Sequence, residues 1–166
     1  MQRINWFPDP NITGTAKPVA DNNARIDYPV VNNRNWLRAT SIATGNNYAQ
    51  YILSGSHIPS AGTYHVHAIA YARVTGAAFV VFVHVGGSYS EVCRVPVGDG
   101  QTVIVDRTIT IPSNTDQLLV RIELDSNTVG AIGMMSEILI ERAATYDTAV
   151  GGGLPGFFTG DTMPRD

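Results

Sequence analysis

The sequence predicts an all-β fold, an antiparallel β-sandwich or jelly roll of about eight to ten strands. The clearest sign lies in residues 63–74, where small apolar side chains alternate with larger and mostly polar ones. A period of two places alternate residues on opposite faces of a strand. The 16 glycines, 9 prolines and 15 % charged residues fit short strands joined by many turns.

Three consecutive antiparallel strands are predicted around this alternating segment. Its inward parity holds Tyr64, Val66, Ala68, Ala70, Ala72 and Val74. Thr75-Gly76-Ala77 and Gly86-Gly87-Ser88 read as turns, so strands should follow at 78–85 and 90–95. Their apolar face needs a cover, which further strands should supply.

The remaining strands flank this centre and are separated by Asn-, Gly- and Pro-containing turns. They are predicted at 24–28, 36–42, 48–53, 103–111, 118–124 and 134–142. Matched parity along these strands predicts a buried set of Val66, Ala68, Ala70, Val120, Ile122, Ile138 and Ile140. The opening residues 1–14 are predicted to form a short edge strand that then runs along the surface, because Pro8 and Pro10 limit ladder hydrogen bonds.

The periodic pattern fades after Arg142, which divides the chain into two predicted regions. Residues 1–142 form the β-sandwich domain, and residues 143–166 form a Gly-rich linker and an extended C-terminal docking tail. The apolar cluster of Leu154, Phe157 and Phe158 is too large to leave in water, so it should dock on a neighbouring subunit or on another protein of an assembled particle. Deletion of residues 151–166 is therefore expected to leave thermal stability nearly unchanged and to weaken assembly.

Composition argues against several classes of function. The net charge is −3, Lys17 is the sole lysine and no basic run occurs, so nucleic-acid binding is not expected. No apolar run approaches the roughly 20 residues that span a bilayer, so membrane insertion is not expected. The single cysteine, Cys93, cannot form an intrachain disulfide. The lack of disulfides is compatible with assembly in a reducing cytosol. The N-terminus also lacks the apolar region of a signal peptide.

Catalysis is not predicted, because neither candidate motif fixes a reacting geometry. Ser54-Gly55-Ser56-His57 could pair a nucleophile with a base, but no helix-opening elbow follows and an ordinary turn explains it. Glu123 and Glu137 could act as an acid and base pair, yet nothing sets their separation and solvated strand faces explain them equally.

A ligand site is predicted on the outward parity of the central strand. His65, His67, Tyr71 and Arg73 share that face, and they combine apolar area with directional hydrogen bonding. Sugar recognition needs flat rings and planar polar groups, and Trp36 and Tyr89 could add rings from adjacent strands or loops. Two alternatives stay open. A second sheet could cover this face as core, or His65 and His67, joined by His84, could ligate zinc.

Three ordered motifs resemble a known family. The chain opens with Asn5-Trp6-Phe7-Pro8-Asp9-Pro10-Asn11, carries Ala61-Gly62-Thr63-Tyr64 before its long alternating strand, and ends with Glu137 to Arg142 followed by Phe158-Thr159-Gly160-Asp161-Thr162. This set resembles the carbohydrate-binding-module-like jelly-roll domains of phage minor tail and receptor-binding proteins. The resemblance covers nearly the whole chain.

The resemblance implies a non-enzymatic virion protein of a phage tail or baseplate, or a decoration protein, with other virion proteins as partners and often a host surface glycan as ligand. It also implies a homo-oligomer in a particle that assembles in the host cytoplasm. The alternative is a secreted carbohydrate-binding module of a glycan-active enzyme. Such modules often hold a structural calcium at stretches where this chain offers Thr13 and Ser136-Glu137, so no cofactor is predicted.

Overall fold

The computed structural model describes residues 2–20, 23–124 and 127–158 and shows two five-stranded antiparallel sheets packed face to face. Twelve strands occur in these residues: β1 (Val19–Ala20), β2 (Ala24–Asp27), β3 (Val30–Val31), β4 (Arg34–Asn35), β5 (Leu37–Ser41), β6 (Asn47–Ser54), β7 (Gly62–Arg73), β8 (Ala77–Val85), β9 (Ser88–Val97), β10 (Thr102–Ile111), β11 (Thr115–Leu124) and β12 (Ile132–Arg142). A 3₁₀ turn spans Gly55–His57 and one helix, α1, spans Ala143–Gly151. The first sheet has the order β1-β6-β11-β8-β9, the second β10-β7-β12-β5-β2, and β3 pairs with β4 in a hairpin.

The core lies between the two sheets and confirms the predicted antiparallel β-sandwich. All seven residues predicted to be buried from strand parity are fully buried: Val66, Ala68, Ala70, Val120, Ile122, Ile138 and Ile140. The long pairings of β7 with β10 and of β8 with β11 hold this parity in register over most of their length. Because a slip of one residue would turn every side chain to the other face, the alternating pattern specifies the pairing.

The opening motif is not a surface strand, as the sequence predicted, but part of the core. Phe7 and Ile12 are buried, and the Phe7 ring packs edge-on against Tyr51 with centroids 4.8 Å apart. The Asn5 side chain is also fully buried, donates to Ile138 O at 2.9 Å and accepts from the backbone of Ile140 at 3.0 Å. A carboxamide can satisfy both kinds of backbone group, so this segment extends the edge of β12 beyond β5 despite its prolines.

Strand β12 contains a bulge at Glu137, whose φ of 51° lies in the left-handed region. The register with β7 shifts between Ser136 and Leu139, and one extra residue is accommodated there. The shift reverses the parity of the strand, so that Met135 faces the core before the bulge and Ile138 and Ile140 face it afterwards.

Helix α1 replaces the first part of the predicted Gly-rich linker. It is short and weakly patterned, since Ala149 is its one buried residue, and no side chain caps its N-terminus. These properties leave little helical signal in the sequence.

No helix in the described part of the chain combines the length and apolar character needed to cross a membrane. The loop residues Asp125-Ser126 and the motif residues 159–162 lie outside the described residues.

Candidate functional site

The residues predicted as one exposed site occupy three different environments. His65 lies on the outer face of the second sheet but is only 5 % exposed. The ring of Tyr146, from α1, stacks on it with centroids 3.4 Å apart and planes at 10°. His67 is half-buried and stacks with Phe157 at 5.8 Å. We call residues 143–158 the C-terminal arm. We call the surface beneath and beside this arm the arm face; it carries His65, His67, Trp36, Tyr71 and Arg73.

Burial governs the charge of the two histidines under the arm. Loss of solvent lowers the pKa of His65, although the carboxylates of Asp106, Asp147 and Glu141 act in the opposite direction. Burial likewise lowers the pKa of His67 against the opposing effect of Glu137. His65 Nε2 lies 3.2 Å from Asp106 Oδ1, yet it has no hydrogen-bond partner of good geometry among the described residues. Both rings therefore pack as neutral aromatic groups at pH 7.

Arg3 fastens the arm to the sandwich. Its guanidinium donates to both carboxylate oxygens of Glu141, with Nη2 at 2.7 Å from Oε2, and Glu141 is only 1 % exposed. The same group donates to the carbonyl of Pro155 at 2.6 Å and lies 4.2 Å from the centroid of Phe158. A desolvated bidentate pair of this kind is a strong anchor. The predicted tail residues Phe157 and Phe158 therefore contact their own sandwich in the isolated chain, whereas Leu154 is exposed.

The remainder of the arm face is a small apolar cluster. Trp36, Ile69 and Met134 pack together and are largely buried, with Tyr71 and Ile132 against them. Arg73 is exposed beyond this cluster. The alternative that this face is core is thus partly realised, because α1 and side-chain packing cover it in place of a second sheet.

Tyr89 does not belong to the arm face. It lies on β9 in the first sheet, is 56 % exposed, and donates its hydroxyl to Gln117 Oε1 at 2.9 Å. Its ring packs on His84 at 4.4 Å, and His84 pairs with Asp116. The prediction that Tyr89 joins His65 and His67 is corrected for a physical reason: the two strands belong to opposite sheets, whose outer faces point away from each other. The zinc alternative fails for the same reason, since His84 is also on the first sheet.

The outer face of the first sheet carries a second group of aromatic and planar polar side chains. We call it the Arg121 face. Gln50, Arg121, Val80 and Arg94 lie opposite one another on β6, β11, β8 and β9. The Arg121 guanidinium carbon lies 4.1 Å from the ring centroid of Tyr48 and 4.7 Å from that of Phe82. Arg121 therefore contacts rings on both of the strands that flank its own, Tyr48 on β6 and Phe82 on β8.

Hydrogen bonds hold this guanidinium in place. Arg121 donates from Nε to Gln50 Oε1 at 2.9 Å and from Nη1 to Glu123 Oε1 at 3.0 Å. Glu123 also accepts from Arg94 at 2.8 Å, and Arg94 donates to Glu91. A cavity of about 290 Å³ opens beside Tyr48, Arg121 and Glu123. The group thus presents fixed donors, acceptors and ring edges with little side-chain freedom left to lose on binding.

Sequence reasoning predicted the strands at 48–53 and 118–124 that carry Tyr48, Arg121 and Glu123, and it considered Glu123 only as a possible acid or base. It missed the site that they form with Phe82 and Arg94. Outward parity was readable along β6, β8, β9 and β11, but the order β6-β11-β8-β9 joins strands that are distant in sequence. Parity identifies a face of one strand and does not identify the neighbouring strand.

The described residues do not assemble either candidate catalytic pair. Glu123 lies on the first sheet and pairs with Arg94 and Arg121, whereas Glu137 lies on the second and pairs with Arg34 at 2.7 Å. Ser56 and His57 lie within the exposed 3₁₀ turn that Ser54 precedes, and no hydrogen bond among the described residues joins either serine to the histidine.

The residues at the implied calcium position do not fit calcium. Thr13, Ser136 and Glu137 do line one cavity. However, Thr13 donates its hydroxyl to Asp9, Ser136 donates to Asn35 O at 2.6 Å, and Arg34 occupies the Glu137 carboxylate. Asp9 itself accepts from the backbone of Thr13, Gly14 and Thr15. The described residues also contain no cluster of three His, Cys, Asp or Glu side chains suited to a metal ion. Calcium prefers six to eight oxygen ligands, and these oxygens are engaged elsewhere.

No family model and no curated protein sequence matches this chain. Solved structures do. The C-terminal family 22 carbohydrate-binding module of Clostridium thermocellum Xyn10B superposes with a TM-score of 0.62 and 18 % identity over 87 % of this chain and 94 % of the module. The CBM22-1 xylan-binding domain of Paenibacillus barcinonensis Xyn10C gives 0.59 and 16 % over 84 % and 92 %. TmCBM61, solved with β-1,4-galactotriose, gives 0.54 and 14 % over 83 % and 98 %.

At these identities the likeness establishes the fold. The chain has the jelly-roll β-sandwich of carbohydrate-binding modules, as the resemblance of its motifs implied.

Proposed function

We propose that this chain is a non-catalytic glycan-binding domain and that the Arg121 face is its ligand site. The observation that carries the proposal is the guanidinium of Arg121, held between the rings of Tyr48 and Phe82 and fixed by Gln50 and Glu123. Pyranose rings present apolar C–H groups and hydroxyl groups; the ring edges of Tyr48 and Phe82 suit the former, and the fixed donors and acceptors of Arg121, Gln50 and Glu123 suit the latter. The similarity to modules described as binding xylan or β-1,4-galactotriose supports a glycan as the ligand class.

The Arg121 face is favoured over the arm face because of what covers each. Tyr146 and Phe157 already occupy the rings of His65 and His67, and a ligand would have to displace them. On the Arg121 face the cavity beside Tyr48 is bounded by the sheet and the Gly45–Asn47 loop alone among the described residues. Tyr89, at the opposite end of the same sheet face, is the member of the sequence-predicted site that can extend this surface.

Affinity electrophoresis in gels containing soluble xylan or β-1,4-galactan tests the proposal, preceded by a glycan array. The variants are Tyr48→Ala and Arg121→Ala on the Arg121 face, with Tyr71→Ala/Arg73→Ala on the arm face as the matched control. We expect the first two to abolish retardation and the control to retain it. If Tyr48→Ala and Arg121→Ala are still retarded and the folded Tyr71→Ala/Arg73→Ala control is not, the ligand site lies on the arm face. The absence of any glycan ligand across the array would overturn the function.

We further propose that the domain acts on a phage virion, as a tail, baseplate or decoration protein that contacts a host surface glycan. The ordered motifs at both ends of the chain support this setting, and it would make other virion proteins and further copies of the chain its partners. Mass spectrometry of purified particles tests it, as does the presence of tail or capsid genes beside its own. A neighbouring glycan-active enzyme gene would favour the alternative of a module from a secreted enzyme.

A further inference from the structure

A polar cavity of about 390 Å³ lies where three distant segments meet. Its walls come from the opening loop, the β3–β4 hairpin and the bulge of β12; Arg34 of the hairpin and Glu137 of the bulge are 103 residues apart in sequence. Glu137 is the single carboxylate among the described residues that line it. The bulge directs this side chain to the cavity at the cost of a left-handed backbone conformation.

Arg34 supplies the opposite charge. Its Nε lies 2.7 Å from Glu137 Oε1, and its guanidinium carbon lies 5.7 Å from the ring centroid of Trp36. The side chains of Arg34 and Glu137 are 36 % and 25 % exposed, so solvent screens the pair only in part. Around the pair, Asn35 donates to Asn11 O at 3.1 Å and Ser136 donates to Asn35 O at 2.6 Å. Hairpin, bulge and opening loop are thus joined through one connected set of contacts.

We propose that Arg34 is a built-in cation that links the hairpin to the bulge. The side chains around this cavity then hold the three segments together, and the cavity does not bind a divalent metal ion. A divalent ion would meet a fixed positive charge beside the one carboxylate available to it. Arginine stays protonated under all ordinary conditions, and its planar fork suits a carboxylate. The inference is independent of glycan binding, since Glu137 lies on a strand of the second sheet and Arg121 on a strand of the first, and the two cavities share no lining residue.

The first test uses the wild-type chain. We expect the same melting temperature in 5 mM CaCl₂ and in 5 mM EDTA (roughly the range that saturates a weak extracellular-type site), and no saturable sensitised luminescence from added Tb³⁺. Saturable Tb³⁺ luminescence that Glu137→Gln removes would overturn the proposal, and so would a melting temperature that calcium raises in wild type and not in Glu137→Gln.

The second test compares two arginines. Arg38 pairs with Asp27 at similar exposure, but it joins adjacent strands of one sheet and is the matched control. We expect Arg34→Ala to lower the melting temperature by about 2–4 °C, more than Arg38→Ala, and Arg34→Lys to recover part of the loss. Equal melting temperatures for Arg34→Ala and Arg38→Ala would overturn the linking role. If Arg34→Ala does not fold, Arg34→Lys and the metal titration of wild type decide the outcome.

Discussion

The two outer faces of this sandwich carry similar side chains and use them differently. Each has rings, an arginine and a carboxylate: Tyr146 and Arg3 with Glu141 on the arm face, and Tyr48 and Arg121 with Glu123 on the other. On the arm face the Arg3–Glu141 pair is nearly excluded from water and fixes a segment of the chain itself. On the Arg121 face the pair stays partly exposed, at 19 % and 22 %. Burial, not residue type, therefore separates an internal anchor from a surface that can meet a ligand.

This difference predicts that the largest loss of stability comes from Arg3→Ala. The substitution leaves the carboxylate of Glu141 buried without its cation, which typically costs about 3–5 kcal/mol. Chemical denaturation at pH 7 measures the effect. Arg38→Ala breaks a more exposed pair and should cost no more than about 1 kcal/mol. Equal losses of stability in the two variants would contradict the idea that burial makes the Arg3–Glu141 pair the stronger anchor.

The next largest effect concerns binding and should be confined to the other face. Arg121→Ala removes the group that spans the rings of Tyr48 and Phe82, and an anchor of this kind contributes about 2 kcal/mol or more to binding. Affinity for a glycan identified on the array should fall at least about tenfold, as measured by titration calorimetry. Arg73→Ala, on the arm face, should leave the affinity unchanged, and an equal fall in both variants would contradict a single ligand face.

Acid should loosen the arm, because His65 and His67 lie beneath it. Burial lowers the pKa of His65 and His67, so the closed arm binds fewer protons than the open one. The stabilisation is complete above pH 6.5, the ordinary histidine value, and declines as the pH falls below it. Hydrogen exchange of residues 143–158, corrected for intrinsic rates, should show weaker protection at pH 5 than at pH 7.5. The variant His65→Phe/His67→Phe keeps two rings that cannot be charged, and it should lose most of this pH dependence. An unchanged dependence would assign it to other groups.

Deletion of residues 151–166 should have the smallest effect on the isolated chain. It removes Phe157 from His67 and Pro155 and Phe158 from Arg3, but it leaves the Arg3–Glu141 pair and Tyr146 in place. We expect a loss of about 1 kcal/mol or less, or a shift of about 2–4 °C at most, by thermal melting. Deletion of residues 143–166 also uncovers His65 and should cost more. A loss from the shorter deletion as large as that from Arg3→Ala would place the anchor in the tail.

Parity along single strands made the fold predictable, and pairing between strands limited the prediction of the site. Val66, Ala68 and Ala70 alternate with polar neighbours, so their burial followed from the sequence. The sequence also showed that His65, His67, Tyr71 and Arg73 share the opposite face of the same strand. That α1 would cover it could not be predicted, because the helix has one buried residue and a weak pattern. Tyr89 was grouped with His65 as a ring from an adjacent strand or loop, although β7 and β9 belong to different sheets.

The amino-acid sequence by itself determined the strands, the turns and the side of each strand that faces the core, since these depend on periods of two and on local backbone preferences. Tertiary structure alone decided which outward faces adjoin and which are covered. Arg121 meets Tyr48 and Phe82 because β11 lies between β6 and β8, and Arg3 meets Glu141 across 138 residues of sequence. Such contacts depend on strand order and on the docking of the arm. Their free energies arise from packing and desolvation across the whole molecule, which no local pattern records.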